Sequence, residues 1–285
     1  MIIVHLFQNK LEQFNNSHKY ILYIFIFSIS TLFFLSCSTI SENNVHIKYG
    51  IPGTCSNCSI LYRQGYVLCH DNSKKVPLWV SYHLSSDDLN CTEKRAGYKF
   101  QADPDLAPGD RATNKDYSKS GYDKGHMSPA ADQCRNATTM TECFYLSNMC
   151  PQWPQLNRHP WEQFEVKIRA LAAKYGEIWV IVGPIFEKNS GKEGFKPELE
   201  LGPDHVWVPW GFYKIVIFYS GKYFHALAFQ YQNQDETNDI PAHAAAIGTI
   251  QAETGLDFLS ALPENDQKGI ESITPTATEL MELGI

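Results

Sequence analysis

Two short segments concentrate the side chains able to handle protons and phosphates. Residues 121–132 set Asp123, Lys124, His126 and Asp132 around Gly125 and Pro129, and residues 148–165 carry Asn148, Gln152, Asn157 and Glu165. An imidazole with an ordinary pKa of about 6.5 can take a proton from water near neutral pH. Mg²⁺ prefers oxygen ligands and keeps several waters, so one amide carbonyl from Asn157 plus oxygens of a substrate phosphate would make a minimal site; Mn²⁺ is the alternative ion. On an ideal helix, at about 100° per residue, Glu165 flanks the Asn157 side and reaches an ion through a water. Arg169 follows one turn later, spaced to pair with Glu165 or with a phosphate. The chemistry these groups suit is metal-assisted hydrolysis of a phosphodiester. His70, His83, His159, His205, His225 and His243 share no ligand spacing and are read as structural or solvent-facing.

These residues need a scaffold. Trp161, Phe164, Ile168, Leu171 and Tyr175 recur at helical spacing and Gly176 ends the run, which predicts one amphipathic helix. Pro160 is tolerated only in a first turn, so Asn157 is expected at or near the N-cap. Capping is the commonest task for Asn there, and it competes with metal binding as the reading of Asn157. Residues 65–70 and 77–84 are strand-like about a turn, and 213–219 and 223–229 flank Ser220-Gly221-Lys222 as a second hairpin. With the strand-like run 178–182, and without regular alternation of strand and helix, these elements imply an α+β fold with a mostly antiparallel central sheet and packed helices. The polar span 85–124 is expected to be mostly loop.

The uncharged run 20–35 follows Lys10, His18 and Lys19 and reads as an export signal. Ser36-Cys37 resembles a bacterial lipobox, so residues 1–37 are expected to end in a lipidated Cys37; an uncleaved helical anchor is the alternative. Residues 38–60 then read as a tether and 61–285 as a single catalytic domain. An exported, membrane-anchored periplasmic or cell-surface lipoprotein, or a secreted protein, is the expected destination. Export makes disulfides the default for the remaining cysteines, and Cys55-Ser56-Asn57-Cys58 suits a local disulfide better than half a zinc site, since no second pair follows at finger spacing.

The two segments resemble the paired signatures of the DNA/RNA non-specific endonucleases of the ββα-metal superfamily, DRGH followed by N-x-x-P-Q-x-x-x-x-N-x-x-x-W-x-x-x-E. Asn148, Pro151, Gln152, Asn157, Trp161 and Glu165 match every fixed position of the second. The similarity extends through Val182-Gly183-Pro184-Ile185-Phe186, Val208-Pro209, Tyr213-Lys214-Ile215-Val216 and Glu253-Thr254-Gly255-Leu256-Asp257-Phe258. The resemblance implies a ββα-metal finger active site with His126 as general base, Asn157 as direct ligand, Glu165 acting through a water, and Asn148 and Gln152 in support; Gln152, Lys124, Arg169, Arg95 and Arg111 are the expected substrate contacts. Arg169 stands where the family has a phosphate-contacting arginine. Lys124 replaces the arginine of the first motif, keeping its charge but not its bidentate fork. The family's upstream arginine falls at Tyr98, with Arg95 or Lys99 as substitutes and Arg111 as a further cation. DNA and RNA are the implied substrates; oligomeric state is left open.

The chain has 285 residues, 44% hydrophobic and 19% charged, which excludes disorder and collagen-like repeats, and its net charge of −7 argues against a broad cationic surface. Arg111, Lys115, Lys119, Lys124, Arg135, Arg158, Lys167 and Arg169 cluster around the motifs, so a local basic track on an acidic body is expected. Acidity and Lys124 favour one rival, an exported nucleic-acid-binding lipoprotein that no longer cuts. A phosphodiesterase acting on small nucleotides is the other.

Overall fold

Alternation of buried side chains along the central strands sets the architecture. In strand β9 (Gly211–Ser220), Phe212, Val216 and Phe218 enter one apolar core while Tyr213, Ile215 and Ile217 enter a second on the opposite face. A strand buried on both sides must lie mid-sheet with layers above and below. The computed structural model describes residues 44–186 and 199–285. The expected export signal, Cys37 and the start of the expected tether lie outside the described residues.

Strands β1 (Cys58–Tyr62), β2 (Val67–Asp71), β3 (Val76–Ser85), β6 (Glu177–Ile185), β9, β10 (Tyr223–Gln232) and β11 (Ala244–Ala245) form one sheet in the order β1-β2-β3-β6-β9-β10-β11. Every neighbouring pair is antiparallel. Both expected hairpins are present, and Gly221 takes φ +61° in the second turn. Strands β4 (Asp123–His126) and β5 (Met149–Gln152) pair separately, as do β7 (Glu200–Leu201) and β8 (Val206–Trp207). Helix α1 (Ala137–Cys143), capped by the Asn136 side chain on the Thr139 amide, lies between β4 and β5. Helices α3 (Ile247–Thr254), α4 (Glu264–Glu271) and α5 (Ala277–Leu283) follow the sheet.

The long helix α2 (Glu162–Tyr175) covers one face of the sheet with Phe164, Ile168 and Leu171. Each fully buried side chain of this kind contributes about 1.5–3 kcal/mol. Its start differs from expectation. Helical backbone begins at Pro154, passes through a π-turn over Asn157–Trp161, and continues into α2, with Asn157 itself at φ −58°, ψ −44°. Asn157 is therefore inside the helix and is not its N-cap. The π-turn accommodates Pro160, which has no N–H to give.

The expected tether is also shorter than 38–60. From Val45 the chain packs on the second core: Ile47 and Tyr49 are buried, and the Tyr49 ring meets Trp179 edge-on at 5.4 Å. β1 adds an outer strand to the sheet, so the folded unit runs from Val45 to Ile285. Two buried apolar side chains among polar neighbours are too sparse to register as periodicity, yet they fix this segment on the sheet.

Candidate active site

β4, β5 and α2 form the ββα unit that carries the motif residues. Asp123 pairs with Gln152, Lys124 with Pro151, Gly125 with Cys150 and His126 with Met149. Asn148 locks this unit from behind: its Oδ1 accepts from the Ser128 amide, and its Nδ2 donates to the Ser128 and Cys143 carbonyls, each at 2.9 Å. It is wholly buried and does not line the cleft. Gln152 is buried too, packed across Gly125, where a Cβ would lie 2.1 Å from Gln152 Oε1 and 2.6 Å from its Cβ. Glycine is required there because the Gln152 side chain takes the space. Both residues thus shape the finger from within, and the expectation that Gln152 touches substrate is corrected.

His126 sits between Phe100 and Phe144, with ring centroids at 5.4 and 5.1 Å. Burial pushes its pKa down to about 3, and the Arg95 charge adds to the effect. The ring is neutral at physiological pH, and its buried Nε2 has no hydrogen-bond partner among the described residues. Asn157 faces the same cleft with its amide nitrogen committed: Nδ2 donates to Asp123 Oδ2 at 2.9 Å, which leaves Oδ1 as the acceptor. Asp123 also accepts two hydrogen bonds from Arg158. Burial works to raise the Asp123 pKa, but the bonds from Arg158 and Asn157 outweigh it and hold the carboxyl below its usual range.

Glu165 and Arg169 do not pair as spacing suggested. Arg169 donates to Asp132 Oδ1 at 2.8 Å, and Tyr82 donates to Asp132 Oδ2 at 2.9 Å. Burial of its carboxylate makes Asp132 a demanding partner, so it takes the guanidinium that helix spacing would offer to Glu165. Glu165 instead faces Lys214 of β9, whose Nζ lies 3.8 Å from Oε1 and 4.0 Å from the Trp161 ring centroid. Burial raises the Glu165 pKa, and the Lys214 charge opposes that rise. Lys214 was not among the expected site residues. A charged side chain inside an otherwise apolar strand was the available signal, since burying an ammonium demands a counter-charge.

His126, Asn157, Glu165, Arg169, Lys124 and Arg95 all line one cleft of about 640 Å³, together with Glu93, Tyr122, Arg158 and Glu162. Lys124 Nζ lies over Phe100 and Tyr117, at 5.2 and 5.3 Å from the ring centroids. Of the expected basic track, Lys124, Arg158 and Arg169 reach this cleft. Arg111 does not: its guanidinium is bound to the Asp103 carbonyl, which corrects its expected contact with substrate. Arg135 and Lys167 are bound elsewhere, to Asp88 and the Gly284 carbonyl.

A divalent ion fits this donor set. The Asn157 amide is oriented by its nitrogen, and the Glu162 and Glu165 carboxylates share the cleft. Among the described residues, the only His, Cys, Asp or Glu trio with ligand atoms in mutual reach is Cys55, Cys58 and Asp71, away from this cleft. A site here therefore rests on one amide oxygen, as suits a hard ion that keeps its waters. Cys55 and Cys58 form a disulfide, as do Cys91 and Cys134, while Cys69, Cys143 and Cys150 are free and buried.

A family model described as DNA/RNA non-specific endonuclease matches residues 42–265. The chain is 34% identical over 224 residues to Nuclease C1 of Cunninghamella echinulata var. echinulata, covering 76% of this chain and 88% of that protein. It is 37% identical over 173 residues to mitochondrial endonuclease G of Homo sapiens, covering 60% of this chain and 57% of the relative. A chain in the crystal structure of the EndoG/EndoGI complex, a study of EndoG inhibition, superposes with a TM-score of 0.70 at 31% identity, covering 76% of this chain and 91% of that one.

Proposed function

The chain belongs to the DNA/RNA non-specific endonuclease family, and from that premise we propose that it hydrolyses DNA and RNA with Mg²⁺, using His126 as general base and Asn157 as the direct ligand of the ion. That it is a metal-dependent endonuclease follows from the family. The observation that carries the assignment of roles is the pairing, in one cleft, of a histidine held neutral by burial with an asparagine whose amide nitrogen is tied down.

The cation would supply positive charge to the phosphate as negative charge grows on it. His126 removes the proton from the attacking water at the cleft it lines. Attack on phosphorus with departure of the 3′ oxygen gives 5′-phosphate ends and requires no covalent enzyme intermediate. Arg169, Lys124 and Arg95 balance the phosphate charge from the cleft wall. Glu165 acts through a water, and Asp123 fixes Asn157. Recognition falls mainly on backbone phosphates, so cleavage should weaken steeply with salt.

Assays of His126→Ala, Asn157→Ala and wild type on plasmid DNA, with Mg²⁺ and with EDTA, test this reading. Both variants should be inactive, and full activity in either overturns the assignment. Comparing single-stranded DNA, RNA and a dinucleotide separates an endonuclease, which prefers the polymers, from a small-nucleotide phosphodiesterase. Export, by lipid at Cys37 or by an uncleaved anchor, is part of the proposal; two disulfides in the described residues support an oxidising destination.

A further inference from the structure

A second concavity, of about 360 Å³, lies beyond the catalytic cleft where β10 runs on past its short pairing with β11. Its walls include Trp210, 44% exposed, and His243, whose ring stacks on Tyr231 at 3.9 Å. Between them stand the amides of Gln230, Gln232 and Gln234, with Glu236 at the rim. Gln230 donates to Glu253, and Gln234 donates to Gln232, so the three amides keep both donor and acceptor capacity. Among the described residues no lysine or arginine lines this groove. Aromatic faces beside paired amide groups suit a flat heterocycle with donors and acceptors on its edge, and the lack of cations disfavours a phosphate.

The groove is tied to the cleft. Tyr122, in the cleft wall, meets Trp153 edge-on at 5.8 Å. Trp153, 37% exposed, donates from Nε1 to Asp235 at 2.7 Å. Asn233 joins the two sides, donating from Nδ2 to the Pro151 carbonyl of β5 and the Pro209 carbonyl, while its main-chain amide donates to the Trp210 carbonyl. The half-buried Tyr122 ring and the exposed Trp153 and Trp210 rings therefore stand on either side of a loop clamped at both ends.

We propose that this groove, with Trp210 as its platform, is a subsite for an unstacked nucleobase of a single-stranded substrate whose scissile phosphate lies in the catalytic cleft. The proposal rests on the endonuclease reading and adds a preference that backbone contacts cannot supply. A base in a duplex is stacked and paired, and cannot enter. Asp235 and Glu236 keep the phosphates at a distance, so the subsite would weight the choice between strands without binding nucleic acid tightly.

Wild type and Trp210→Ala should be compared on an oligo(dT) strand, an abasic strand of equal length and duplex plasmid. Stacking of one base on an aromatic ring is worth a factor of about 5 to 150. The ratio of kcat/KM on oligo(dT) to that on duplex should fall by that factor through KM, with Trp210→Phe keeping most of it and the abasic strand showing no such fall. Equal loss on duplex and single strand, or equal loss on the abasic strand, overturns the subsite while leaving the endonuclease reading intact. Should Trp210→Ala lower the melting temperature, Gln234→Ala reads the same ratio, and an unchanged ratio there overturns the proposal. A wild type that cuts no polymer sinks the endonuclease reading, and the subsite falls with it.

Discussion

Lys214 Nζ stands 3.8 Å from Glu165 Oε1, with the two side chains 0% and 13% exposed, so a strand from the centre of the sheet reaches through the core to a carboxylate of α2 that lines the cleft. The even-numbered face of β9 explains the reach: Phe212, Val216 and Phe218 point toward α2, and Lys214 shares their side. An isolated carboxylate in this position would take up a proton. Lys214 is the nearest positive charge opposing that, with Arg169 also contributing.

Lys214→Met tests this relation. Removing the ammonium should leave Glu165 protonated at neutral pH and lower kcat by about 10- to 100-fold, the usual loss when a partner of a metal-site residue is removed. The same change replaces a buried charge with an apolar chain of similar length, so the melting temperature should hold or rise. A variant with full activity would show that Glu165 needs no counter-charge; lost activity with lost stability would point to a packing role.

Arg169 and Asp132 provide a second test. Arg169→Ala strands the buried Asp132 carboxylate with only Tyr82 as a side-chain hydrogen-bond partner among the described residues. Breaking such a pair costs about 3–5 kcal/mol. Adding Asp132→Asn removes the stranded charge, so the double variant should recover much of that stability. If Arg169 also meets phosphate, neither variant recovers activity. Denaturant unfolding and plasmid cleavage on the same preparations give both readouts, and recovered cleavage in the double variant would confine Arg169 to a structural role.

What could be read from the sequence followed periodicity and motif spacing. Trp161, Phe164, Ile168 and Leu171 declare a helix face because burial repeats with the helix turn, and the run around Ile215 declares a strand by composition. Spacing also brought His126, Asn157 and Glu165 to one cleft. It could not say which way a side chain points within a motif. Asn148 and Gln152 stand at fixed positions yet face inward, where one bonds the loop after His126 and the other fills the space left by Gly125. Partners distant along the chain were beyond reach for the same reason: Asp132 claims Arg169 and Lys214 claims Glu165 through tertiary packing that no local pattern encodes. The π-turn at Pro160 likewise turned an expected cap into a residue inside the helix.

Gly125→Ala should damage the finger without touching any reacting group. The new methyl would lie 2.6 Å from the Gln152 Cβ, so shortening Gln152 to Ala cannot relieve the clash and the two strands must move apart. Overpacking of this kind costs about 1–3 kcal/mol. Because His126 follows directly on the same strand, cleavage should fall further than stability alone explains. A Gly125→Ala/Gln152→Ala double variant with wild-type cleavage would contradict this account.

Acid sensitivity follows from three histidines buried in the neutral form, His126, His46 and His70, each lowered by burial. Burial pushes His126 down to about 3 and His46 to about 4, from an ordinary 6.5. Below about pH 6.5 the unfolded chain takes up protons at these positions and the folded chain does not, so stability is full above that pH and declines as pH falls toward 4 and then 3. Each group contributes a slope of about 1.4 kcal/mol per pH unit inside its window. Melting temperatures measured from pH 7 to pH 5 should fall on acidification by less than the histidines alone would give, because the raised pKa values of buried Glu165 and Asp132 work in the opposite direction. His126→Asn removes one of these groups, so its curve should be shallower than that of wild type; a parallel curve would mean that His126 is already accessible to protons in the folded protein. Any loss of wild-type cleavage on acidification from neutral pH should then come from protonation of Glu165, whose pKa burial raises, and not from His126, which stays unprotonated there.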